Sequence, residues 1–144
     1  MKRHFLVLLA ALLAGSTLCA LAGPPKTFLR GHPSQWQTLE LRPDVDFQHG
    51  WDAVFDILIH DFDLAMALKE DGYIRTDWLY AYGGKFDIEY RVRVTTRFAP
   101  DKRTLRIKTE AQWKDGDNWL IGVDSRLLNT LKTDVMGTIG RTTR

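Results

Sequence analysis

The most constraining feature of the chain is a two-residue period that persists over more than forty positions. Phe86, Ile88, Tyr90, Val92, Val94, Thr96 and Phe98 alternate with Asp87, Glu89, Arg91, Arg93, Thr95 and Arg97. Beyond Pro100-Asp101, the set Leu105, Ile107, Thr109, Ala111 and Trp113 repeats the pattern. Side chains on a strand point alternately to opposite faces, so this period specifies strands with one apolar and one polar face. Such strands form antiparallel sheets covered on one side and wetted on the other. Pairing Phe98 with Leu105 sets Arg93 opposite Glu110 and Glu89 opposite Lys114, and opposite charges facing across a ladder add ~0.2–1 kcal/mol each.

The same period extends upstream. Leu64, Met66 and Leu68 form one inward set, and Ile74, Thr76, Trp78, Tyr80 and Tyr82 form another. Matching burial across the intervening turn selects a three-residue loop, Glu70-Asp71-Gly72. It pairs Leu68 with Ile74, Met66 with Thr76 and Leu64 with Trp78, and needs Gly72 in the left-handed conformation. Gly83-Gly84 makes the next reversal, and Trp36–Arg42 supplies a short strand closed by Pro43. Asp115-Gly116-Asp117-Asn118 reads as a loop and Gly122 as a break.

Two segments carry the helical period instead. Trp51, Val54, Phe55, Leu58, Ile59 and Phe62 form one apolar stripe. Acidic residues near its start suit the helix dipole. Leu127, Leu128, Leu131, Val135 and Ile139 form another stripe, capped by Asp124 or Ser125 and ended by Gly140. One-sided helices and a one-sided sheet predict an α+β, two-layer sandwich. In it, an antiparallel meander of four main strands plus a short N-terminal strand is packed on one face by two helices.

The chain opens MKRHFLVLLAALLAGSTLCALAGPP. A basic start, an apolar run and small residues at Ala20 and Ala22 are the layout of a secretory signal. The run is shorter than the roughly 20 residues that span a bilayer. The expected organisation is therefore a signal over 1–22, a Pro/Gly-rich tether over 23–35, one domain over 36–140 and a frayed tail over 141–144. Cys19, the single cysteine, leaves with the signal if cleavage follows Ala22; lipidation of Cys19 is the alternative. The whole chain has 20 basic and 18 acidic residues. Losing Lys2 and Arg3 leaves eighteen of each, so the balance does not suit nucleic acid.

Candidate sites come from these faces. Arg75, Arg91, Arg93, Arg97, Arg106 and Lys108 share the predicted wet face, where an anionic membrane surface or acidic partner could sit, although Asp77, Asp87, Glu89 and Glu110 lie among them and a self-paired, solvated face explains them better. Rings on the predicted inner face, including Trp78, Tyr80 and Tyr82, could line a cavity for an apolar ligand. The tips of these three could instead contact a partner at a rim. Partner binding is thus expected at Trp78, Tyr80, Tyr82, Arg91 and Arg93. Asp52, Asp56 and His60 share one side of the first helix and could ligate a metal, but an ordinary solvated face explains them better. No G-x-S-x-G, H-E-x-x-H or phosphate-cradling glycine loop occurs, so neither catalysis nor a cofactor is expected.

The segments "GWDAVFDIL", "GYIRTDW" (Gly72–Trp78) and "YRVRVT", followed by a further strand and a closing helix, make residues 36 to 140 resemble the BamC-type (NlpB) domain. That resemblance implies a helix-grip fold in the Gram-negative envelope, beside the machinery that inserts outer-membrane β-barrels. Proteins of that family usually carry a lipid anchor and two such domains; this chain has room for one, and its Ser16-Thr17-Leu18-Cys19 reverses the usual lipobox sizes. The combined expectation is an exported, non-enzymatic binding or scaffold domain in the periplasm or on the periplasmic face of the outer membrane. Its partner is then an envelope protein. A small carrier for an apolar ligand is the alternative. The intact mass of the exported protein should correspond to a chain starting at Gly23; a diacylated Cys19 terminus would overturn this cleavage.

Overall fold

The computed structural model describes residues 23–82 and 89–141. In chain order the described elements are β1 (Phe28–Arg30), β2 (Gln37–Glu40), α1 (Phe47–Asp61), β3 (Leu64–Leu68), β4 (Tyr73–Thr76) and β5 (Leu79–Tyr80). They continue with β6 (Tyr90–Phe98), β7 (Thr104–Asp115), β8 (Asn118–Asp124) and α2 (Ser125–Thr138). The fold is α+β: an open antiparallel sheet of eight strands with two helices among the described residues. The signal segment and Cys19, the Gly83-Gly84 reversal, Phe86, Asp87 and Ile88 lie outside those residues.

β6 and β7 form the spine. They pair from Tyr90 opposite Trp113 to Phe98 opposite Leu105, with Arg93 opposite Glu110, the register expected from burial and charge. The other strands attach to this pair in two tiers. β8 and β2 share one edge of β7, and β4 and β5 share the free edge of β6. β1 and β3 close the two ends of the sheet.

The inner face is the core. Tyr90, Val92, Val94, Phe98, Leu105, Ile107, Ala111 and Trp113 are buried with Trp51, Val54 and Leu58 of α1 and Leu127, Leu131 and Val135 of α2. Burying such side chains is the main favourable term in folding, at roughly 25 cal/mol per Å² of apolar surface. Phe98 anchors α1: its ring lies edge-on to Phe47 at 5.1 Å and tilted against Trp51 at 6.5 Å. α1 begins at Phe47, four residues before the apolar stripe, because Asp46 caps it by accepting from the His49 N–H at 2.8 Å. The acidic residues expected in the first turn are therefore further along; that turn has none.

Several expectations are corrected. The segment read as a tether contains β1, which pairs with β8 and buries Phe28. The stretch read as a loop is a hairpin turning at Gly116-Asp117, with Asp115 opposite Asn118. Gly122 is a mid-strand residue, not a break: a Cβ there would lie 2.4 Å from the Leu29 carbonyl oxygen, so only glycine lets β1 approach. The β3–β4 connection places Leu68 opposite Tyr73, not Ile74, and a bulge after Leu64 turns Met66 and Leu68 outward. They are 40% and 46% exposed. Gly72 does adopt the expected left-handed conformation, φ +62°, folded against Phe98.

One buried carboxylate ties distant segments together. Asp124 is fully buried and caps α2 by accepting from the Leu127 N–H at 2.9 Å. Its other oxygen accepts from Thr27 Oγ1 at 2.8 Å and, in a short bond, from the Tyr90 hydroxyl. The Ser125 N–H and Oγ both donate to the Thr27 carbonyl, at 3.0 and 3.2 Å. The chain before β1, the start of β6 and the start of α2 thus meet at one residue. Asp124→Ala removes the cap and strands buried donors, so it should cost about 3 kcal/mol in denaturant unfolding. Asp124→Asn, which can still cap the helix, should cost less.

Candidate functional site

The outer face of the sheet carries the most developed constellation, and a bulge creates it. Arg75 stands opposite Thr95 and Leu79 opposite Val92, so four steps along one side of the ladder face three along the other. The extra residue falls at Asp77-Trp78 and is held by Thr76. The Thr76 hydroxyl accepts from the Val94 N–H at 3.0 Å and donates to the Asp77 carbonyl at 2.9 Å. Bulges re-aim side chains. Ile74 and Thr76 face the core as expected, but Trp78 and Tyr80 do not; they stand over the arginines of β6.

Arg91 is surrounded by three rings. Its guanidinium carbon lies 3.8 Å from the Trp119 ring centre, 4.6 Å from Trp78 and 5.7 Å from Tyr80. Its edge donates to Gln112 Oε1 at 2.9 and 2.6 Å and to the Tyr80 hydroxyl at 2.9 Å. Arg93 lies 4.4 Å from the centre of the same Trp78 ring and donates twice to the Glu110 carboxylate, at 2.9 and 3.1 Å. Lys108 is 3.9 Å from Glu110 and 5.4 Å from the centre of the Trp36 ring. Cation–π contacts contribute ~0.5–2 kcal/mol each, more where water is excluded. The result is a layer of rings and guanidinium planes held by mutual contacts, with Tyr80 and Trp36 47% and 42% exposed.

Four of the five expected partner-binding residues, Trp78, Tyr80, Arg91 and Arg93, therefore come together. Tyr82 does not join them. It sits at a cleft of about 380 Å³ between α1 and α2, with Ile57, Phe62, Leu127 and Leu131 as the apolar lining and Asp56, His60, Asp61 and Asp134 at the rim. The cavity expected between sheet and helices is thus a cleft between the helices, while Tyr90, Phe98 and Trp113 are packed core. Trp119, Gln112 and Trp36 were missed. Gln112 was legible from its outward parity between Ala111 and Trp113; Trp119 was hidden in the unrecognised strand β8.

Asp52, Asp56 and His60 do not assemble into a metal-holding group, and no such cluster occurs among the described residues. The Asp52 carboxylate instead accepts from Gln48 at 2.6 Å and from Lys69 at 3.5 Å, contacts that hold it below the usual carboxylate range. No described helix is long and apolar enough to cross a membrane. Comparison with protein-family models and with curated proteins finds no match.

Two tyrosines have raised hydroxyl pKa values. Burial pushes Tyr82 up, helped by the charge of Asp124. Burial also pushes Tyr90 well above the ordinary value of 10.0, reinforced by its bond to Asp124. In the unfolded chain Tyr90 loses its proton near pH 10, while the folded chain still holds it. Its contribution is therefore complete below about pH 10 and declines as pH rises further. Unfolding free energy should fall more steeply above about pH 10 in the parent than in Tyr90→Phe; equal slopes would remove Tyr90 from the linkage.

Proposed function

We propose that the chain is an exported, non-enzymatic binding domain of the bacterial envelope, helix-grip-like in architecture, that assists outer-membrane protein assembly. The BamC-type resemblance and the signal-like start support the compartment. The observation that carries the reading is the Arg91 clamp. A guanidinium held among Trp119, Trp78 and Tyr80 on an open sheet face already has its side-chain entropy removed. Aromatic and arginine residues arranged in this way are the kind that dominate protein interfaces. Arg91 uses three of its five N–H groups on Gln112 and Tyr80. The remaining two can donate to acceptors of an envelope protein laid across Tyr80 and Trp78.

In a crosslinked pull-down from envelopes, the protein should capture components of the outer-membrane β-barrel insertion machinery. Trp78→Ala and Tyr80→Ala should abolish that capture while circular dichroism and the melting profile remain those of a folded domain. Retention by both variants, or capture only of unrelated proteins, would remove this surface from the function. The helix cleft supports a second reading, a carrier for an apolar molecule, because its volume falls within the range of small-ligand pockets. Native mass spectrometry of the same preparation separates the two: a co-purifying small molecule belongs to the carrier.

A further inference from the structure

The outer face changes character along β6 and β7. At the Arg91 end, each cation has a polar or acidic partner. At the other end, Arg97 stands directly opposite Arg106. Both are exposed, and like charges facing across a ladder are destabilising. Arg75 lies one row along, opposite Thr95, which in turn faces Lys108. No carboxylate forms an ion pair with Arg75, Arg97 or Arg106 among the described residues. Glu110 is engaged by Arg93 and, at 3.9 Å, by Lys108, and Glu40, at the neighbouring edge, is engaged by Arg141 at 3.5 Å. The Arg75 Nε is shielded from solvent without a hydrogen-bond partner.

Apolar residues flank this cluster in the same rows. Met66 is opposite Arg75 and Leu68 opposite Tyr73, both turned outward by the β3 bulge and well exposed. On the far side, beyond Lys108, stands the exposed ring of Trp36. A face with three arginines that lack carboxylate partners at its centre, and apolar or indole side chains at both margins, complements a phosphate-bearing bilayer surface. Cations meet headgroup phosphates there, and a tryptophan ring sits at the interface. An acidic protein would satisfy the cations but would leave Met66 and Leu68 without a role.

We propose that Arg75, Arg97, Arg106 and Lys108, bordered by Met66, Leu68 and Trp36, form a docking patch for an anionic membrane surface. The patch uses none of Trp78, Tyr80 or Arg91, so it stands or falls separately from the protein-binding reading. The test is partition onto phosphatidylcholine vesicles with and without phosphatidylglycerol, using proteins whose N-termini are shown by mass to be identical. The parent should prefer the phosphatidylglycerol vesicles and lose that preference as salt is raised. Arg97→Gln with Arg106→Gln should lower the partition about 25-fold, taking roughly a fivefold loss for each cation near the surface.

That double variant removes a like-charge contact, so its melting temperature should be equal to or above the parent's, which separates lost binding from lost fold. Met66→Ser with Leu68→Ser should weaken the binding that persists at high salt. Indifference to phosphatidylglycerol, or unchanged partition of the arginine double variant, would overturn the proposal. Competition by polyglutamate with no effect of the Met66 and Leu68 substitutions would also overturn it, in favour of an acidic protein partner.

Discussion

The rest of the molecule hangs on the ladder between β6 and β7. Nine consecutive residues of β6, Tyr90 to Phe98, find partners on β7, and every other strand attaches to this pair directly or through one neighbour. The ladder tolerates no one-residue slip, because a slip would carry Val92, Val94, Leu105 and Ile107 to the water side and the arginines to the core. Phe98 then fixes α1 through Phe47 and Trp51, and Tyr90, at the opposite end, fixes α2 and β1 through Asp124. The two ends of one strand thus position both helices.

Where one side of the chain could be read without reference to the rest, the sequence sufficed. The parity of β6 and β7 is local, as are the Asp124 cap and the left-handed turn at Gly72. The failures share a physical cause: each depends on an element that gives no local signal. β1 has three residues and no period of its own; it is a strand because Gly122 lets it lie against β8. β8 runs Trp119, Leu120, Ile121 without alternation, because both of its faces carry apolar residues, and its glycine mimics a break. The two bulges, after Leu64 and at Asp77-Trp78, each shift parity by one residue. A strict two-residue period read through them sends Met66, Leu68, Trp78 and Tyr80 to the wrong face.

The same bulges build the candidate site. Without the extra residue beside Arg93, the Trp78 ring would enter the core, and Arg91 and Arg93 would lose the aromatic surface between them. The Thr76 hydroxyl offsets the disrupted ladder by taking the Val94 N–H. Thr76 is therefore buried for a polar reason, and its place in an otherwise apolar inward set marks the position where the strand departs from regularity.

The outer face also shows how one charge pattern can hold two different states. Arg93 and Glu110 face each other across the ladder at about one-quarter exposure each, so their bidentate contact is moderately shielded and geometrically restrained. Two rows away, on the same face of the same two strands, Arg97 stands opposite Arg106. A sheet under selection for stability alone would place a carboxylate at one of these positions, since that exchange of sign turns a repulsive pair into an attractive one without touching the core. The Arg97–Arg106 pair therefore adds nothing to what holds the chain together, and the proposed membrane patch is what would give it a role.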